Sequence, residues 1–163
     1  KNKKTKEKTL TIYNLQLTIK KKIMAAVNPY LMFNGTCEEA FLFYKSVFGG
    51  DFPYIGKYKD APAEEGEVLS EEALNRIMHV SLPIGNTILM GSDSHPRYGD
   101  VGFGDNFSIS INTESTDEAD RIFNGLSAGG KVTMPLEKTF WGALFGMFTD
   151  KFGMHWMVNY DYK

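Results

Sequence analysis

Between Asn106 and Val132 the chain changes rhythm twice. Phe107, Ile109 and Ile111 alternate with Ser108 and Ser110, the period-two pattern of a half-buried strand over 107–113. Ala119, Ile122, Phe123 and Leu126 then recur at helical spacing, introduced by an S-x-x-E capping pattern at Ser115 and Glu118 and closed by Gly129-Gly130. The same plan occurs about 80 residues earlier. There a short strand ends at Gly35, Thr36 and Glu39 form a T-x-x-E box, and Ala40, Phe43, Tyr44, Val47 and Phe48 make the helical stripe before Gly49-Gly50. Three strand-like runs follow each glycine pair. The first set is FPYIGKYK, NRIMHVSLPI and NTILMGSD, with Gly85-Asn86 as a hairpin turn; the second is KVTMPLEKTF, GALFGMFT and MHWMVNYDY, with a turn at 150–153.

The pattern therefore predicts an α+β protein of two βαβββ modules, module one over 27–93 and module two over 106–161, joined by a Gly-rich linker at 94–105. One helix covers only one face of a four-stranded sheet, so the other face is left to form a cup. Alternation sorts residues between the two. Met78, Val80 and Leu82 form one set, opposed by Ile77, His79, Ser81 and Pro83. Trp156 and Val158 form another, opposed by His155, Met157 and Asn159. Ser108, Ser110, His79, Ser81, His155 and Asn159 are thus expected on the face away from the helices.

Charge changes the picture at the N-terminus. Residues 1–22 hold eight Lys and one Glu, leaving 10 Lys plus Arg against 19 Asp plus Glu in the rest, a balance of −9. A body this acidic repels phosphate backbones, which argues against a nucleic-acid partner. Residues 1–23 read as a basic extension, disordered or loosely attached, before a single domain over 24–163. No run approaches the roughly 18 apolar residues of a membrane span, and TLTIYNLQLTI is too polar for a secretory core. The single cysteine, Cys37, excludes an internal disulfide and a cysteine metal cage; with it goes the expectation of a reducing, cytoplasmic setting.

The segments FLFYKSVFGG, ILMGSD, TFWGALFGMFTDKFG and HWMVN, set in paired βαβββ units, resemble the vicinal oxygen chelate superfamily of glyoxalase I, bleomycin- and fosfomycin-resistance proteins and extradiol dioxygenases. Within it they are most similar to the PhnB-like branch, whose members often carry a demethylubiquinone methyltransferase label. The resemblance spans about 28–161 and implies a cupped, barrel-like mixed sheet. It also implies four His or Glu metal ligands on the first and last strands of each unit. Those positions map here to Pro29, Leu89, Asn106 and Met157, which do not make a Zn, Ni or Fe(II) donor set. No metal and no cofactor are expected. The methyltransferase label lacks its Gly-rich strand-to-helix turn, because GDVGFG at 99–104 leads into a strand.

What remains is an aromatic cup for a small organic ligand. His79, Ser81, Ser108, Ser110, His155 and Asn159 are its polar contacts, and Phe33, Trp141 and Phe145 its aromatic wall, in a homodimer that covers the open sheet edges. The alternative is a lyase or isomerase with His79 as acid/base. His95 reads as a solvated loop residue and Asp93 as the cap of its own turn.

Overall fold

In a computed structural model describing residues 25–62, 66 and 68–162, two four-stranded sheets share one helical core. The basic extension expected over 1–23 lies outside the described residues. The first unit runs β1 (Tyr30–Phe33), α1 (Cys37–Phe48), β2 (Tyr54–Lys57), a short α2 (Glu71–Asn75), β3 (Ile77–Ile84) and β4 (Thr87–Asp93). The second runs β5 (Ile109–Asn112), α3 (Thr116–Ser127), β6 (Lys131–Lys138), β7 (Ala143–Thr149) and β8 (His155–Asp161). Strand orders are β1-β4-β3-β2 and β5-β8-β7-β6. In each sheet the first strand runs parallel to the last, and the other neighbours are antiparallel. This is the α+β arrangement of two βαβββ modules that the pattern predicts.

Local chemistry departs from expectation at four places. Ser115 caps α3 as expected, accepting from Glu118 N at 3.2 Å, but the Glu118 carboxylate reaches back to Glu114 N rather than to the cap residue. Thr36 makes no side-chain cap bond. Buried Asp93 replaces it from across the sheet: Oδ1 accepts from Gly35 N at 2.8 Å and Cys37 N at 3.0 Å, and Oδ2 from Ile77 N at 2.8 Å. A carboxylate that satisfies three backbone donors holds the start of α1, the start of β3 and the end of β4 together, in place of the self-contained turn expected of Asp93. Ile77 is the third departure. It is buried in the core rather than facing outward, because the pairing Gly56↔His79 and Lys57↔Ile77 leaves Met78 as an extra residue. A bulge shifts the alternation by one and leaves His79, Ser81 and Pro83 on the outer face. Finally, β5 begins at Ile109, so Phe107 and Ser108 precede the strand, and α2 was not anticipated although Ser70 caps it through Ala73 N.

The units meet through their helices. α1 packs on β3 and β4 of its own sheet and on α3. Its Tyr44 and Phe48 also lie against Trp156 of β8, at ring separations of 5.4 and 6.1 Å. The inner faces of both sheets thus feed one core, which includes Phe41, Tyr44, Val80, Leu82, Phe123, Phe148, Trp156 and Val158. Phe41 lies so close to Gly91 that a Cβ there would sit 2.6 Å from its ring and 2.9 Å from the Leu31 carbonyl, so β4 needs glycine at this point. None of the helices among the described residues is long and apolar enough to cross a membrane.

Candidate functional site

With the inner faces committed to the core, the outer faces of the sheets carry the candidate chemistry. On the first sheet, Tyr30 and Met32 of β1 point outward because Leu31 and Phe33 point inward. Outward positions on β3 are His79 and Ser81, and the register sets Met90 beside both Tyr30 and Ser81. The Tyr54 ring folds along β2 over Gly56, the residue opposite His79. His79 is therefore flanked by two tyrosines, at centroid separations of 5.7 Å from Tyr30 and 5.8 Å from Tyr54. The Tyr30 hydroxyl lies 3.3 Å from His79 Nδ1. That contact occupies one ring nitrogen and leaves Nε2 for another partner.

On the second sheet, β7 presents Phe145, Met147 and Thr149, and β8 presents His155, Met157 and Asn159. Thr149 Oγ1 lies 3.0 Å from His155 Nδ1. The Asn159 amide donates to Asp161 at 3.1 Å and to Asn112 at 3.4 Å. Ser110 is exposed on β5 beside Met157. The Trp141 ring stands 6.0 Å from Phe145, and Phe140 packs edge-on against Trp141 at 4.9 Å.

Most residues singled out from the sequence therefore occupy outer faces: His79 and Ser81 on the first sheet, Ser110, Trp141, Phe145, His155 and Asn159 on the second. They do not meet within one chain, since the two sets belong to different sheets and both faces are open to solvent. Tyr30 is 46% exposed, Tyr54 47% and Trp141 54%. Two placements differ. Phe33 is fully buried on the inner face, edge-on to Phe41, so its ring belongs to the core and not to a ligand wall. Ser108 is half-buried ahead of β5. The sequence reading places Met157 outward, as found, but misses Tyr30, Tyr54 and the outward methionines Met32, Met90, Met134 and Met147. All four residues of Tyr30–Phe33 are apolar or aromatic, which hides the direction of alternation; the inward pair Leu31 and Phe33 could have been fixed only by knowing what α1 covers.

The positions that map to a metal set do not fit one. Leu89 is in the core, Pro29 has no donor side chain, Met157 offers a thioether, and only Asn106 carries a side-chain oxygen. Among the described residues no three His, Cys, Asp or Glu side chains come together as a metal site. The run 99–104 is irregular and leads to β5, with no helix until α3. A phosphate- or nucleotide-binding strand-turn-helix is thus not made there.

The buried titratable groups Cys37 and Tyr44 lie in the core, and Tyr58 is half-buried outside it. Burial in apolar surroundings, reinforced by the Asp93 carboxylate, raises the Cys37 thiol far above its usual range. Tyr44 is raised by burial and by Asp150, and Tyr58 by burial.

Comparison with known proteins agrees with the fold. Residues 25–159 match the sequence model of the family described as 3-demethylubiquinone-9 3-methyltransferase. Protein YjdN of Escherichia coli K12 is 31% identical over 139 residues, covering 82% of this chain and 93% of YjdN. The crystal structure of protein PA1353 from Pseudomonas aeruginosa is 44% identical, covers 86% of this chain and 100% of its own, and superposes with a TM-score of 0.75. A PhnB protein from Bacillus cereus, described as a putative 3-demethylubiquinone-9 3-methyltransferase, is 25% identical over 83% of this chain and 99% of its own, with a TM-score of 0.67. The fosfomycin resistance protein FosX of Listeria monocytogenes, complexed with Mn(II) and sulfate, shares the fold at 10% identity, covering 86% of this chain and 94% of its own, TM-score 0.57. The chain belongs to the family that the first of these matches describes, the PhnB-like branch of the vicinal oxygen chelate superfamily.

Proposed function

We propose that this protein binds a small organic molecule, without a metal, on the outer faces of its sheets, and that it does so as a homodimer in which those faces are covered. The observation that carries the reading is the composition of the faces themselves. A solvated face of an antiparallel sheet is polar, whereas these faces bear tyrosines, a tryptophan, a phenylalanine and five methionines, with histidine, serine and asparagine set among them. Methionine surfaces adapt to varied ligands, and aromatic walls with a few hydrogen-bonding groups are typical of ligand sites. The donor-poor positions at Pro29, Leu89, Asn106 and Met157 support binding without a metal ion. The acidic body supports a small-molecule partner over a nucleic acid. Binding by sequestration requires no catalysis.

The contact between Tyr30 and His79 favours a second reading, in which the oriented imidazole is acid/base in a lyase or isomerase reaction. Replacing His79 with Gln separates the two: turnover is abolished if His79 is catalytic, while ligand affinity stays within about tenfold, or about 1.4 kcal/mol, if it only binds. The binding reading itself is tested with isotope-labelled methionine methyl groups. A small-molecule fragment set should shift Met32, Met90, Met147 or Met157 and leave core-packed Met154 unmoved. Shifts confined to Met154, or none at all, would contradict it.

A further inference from the structure

The aromatic end of the second sheet's outer face has a definite charge. Strand register places Glu137 of β6 directly beside Phe145, on the same face, and Asp161 of β8 opposite Ala143, one outward position further on. Asp161 is held toward that face by the Asn159 amide at 3.1 Å. Trp141 completes the group at 6.0 Å from Phe145. Among the described residues neither carboxylate has an ion-pair partner. The nearest lysines do not supply one. Lys138 pairs with Leu144 on the inner face, where its ammonium lies over the Tyr162 ring at 5.2 Å. Lys131 does share the outer face but sits opposite Thr149, four residues along β7 from Phe145 and so about 13 Å away. That exceeds the screening length of roughly 8 Å at physiological salt.

We infer that this end of the face takes the positively charged group of an organic cation, with Trp141 and Phe145 as its aromatic cradle and Glu137 and Asp161 as its counter-charges. The inference rests on the ligand-binding reading above and specifies its ligand class. Covering the face without a cation would strip water from two carboxylates that have no positive partner among the described residues, which is costly. A cation over the indole and phenyl rings removes that cost and gains from the ring quadrupoles. An anionic ligand meets the same two carboxylates and an acidic body and is disfavoured.

The test uses three probes with one benzyl body: benzyltrimethylammonium, benzyl alcohol and benzylsulfonate, titrated against the full chain at fixed ionic strength and followed by methionine methyl shifts and tryptophan fluorescence. The ammonium should bind at least fivefold more tightly than the alcohol and at least tenfold more tightly than the sulfonate. Glu137→Gln should shrink the first ratio at least threefold, and Trp141→Ala should weaken the ammonium at least threefold. Both positions are exposed, and unchanged circular dichroism will verify that the variants fold. Equal or tighter binding of the sulfonate, or an ammonium affinity indifferent to Glu137→Gln, overturns the inference. If the alcohol binds and the ammonium does not, the charge preference falls and the ligand site stands; silence from all three removes both.

Discussion

The Tyr44 hydroxyl donates to Oδ2 of Asp150 at 2.7 Å and joins the first helix to a turn in the second unit. The same oxygen accepts from Trp156 Nε1 at 2.8 Å, while Oδ1 takes Phe152 N and Met154 N at 2.8 and 3.0 Å. One buried carboxylate thus shapes the hairpin before β8, fixes the core tryptophan and binds the two units together. Removing it strands several buried donors. Asp150→Ala should cost at least ~3 kcal/mol and Tyr44→Phe about 1–2 kcal/mol in denaturant unfolding, and the double variant should be far from additive. Additive small effects would show that the units are held by apolar packing alone.

The start of α1 yields a contrast between two side chains. Asp93→Asn puts an amide nitrogen against either the Ile77 N–H or the Gly35 and Cys37 N–H groups, and should cost about 1–3 kcal/mol. Thr36→Ala should change stability by less than about 0.5 kcal/mol, because its hydroxyl caps nothing. Ser115→Ala, at the equivalent place before α3, should cost about 1 kcal/mol. Equal losses at Thr36 and Ser115 would refute the division of labour between Thr36 and Asp93.

Alkaline pH should unfold the chain through two core groups. Cys37 and Tyr44 both have folded-state pKa values raised by burial, above ordinary values of 9.0 and 10.0. The unfolded chain loses these protons first, so their contribution is complete below about pH 9 and declines as pH rises beyond it. Stability measured from pH 8 to 11 should fall, and Tyr44→Phe should flatten the fall above pH 10. The buried neutral thiol of Cys37 should also resist alkylation until the protein unfolds.

Gly91→Ala should destabilise by about 1–3 kcal/mol, since the new methyl meets both the Phe41 ring and the Leu31 carbonyl. Calorimetry checks this, and a neutral result would mean that Phe41 can move away without cost.

The two-unit plan was legible because local signals repeat: capping residues, helical stripes and glycine pairs at matching places. The outward placement of His79, Ser81, Ser110, His155 and Asn159 was legible because polar residues mark one side of their strands. Where every residue is apolar or aromatic, as in Tyr30–Phe33, the alternation has no sign, so the sequence does not reveal that Phe33 faces the core and Tyr30 faces outward. The bulge at Met78 and the reach of Asp93 to α1 and β3 are long-range pairings that no local pattern encodes. The open outer faces are likewise a property of how α1 and α3 pack, not of either unit alone.

Native mass spectrometry of the full chain, purified without chelator, tests the central claim most directly. The account predicts a species of twice the 18.4 kDa chain mass that carries no stoichiometric metal and retains added small organic ligand. A chain that stays at single mass and takes up no ligand, or one that holds a stoichiometric nickel, zinc or iron ion, would contradict it.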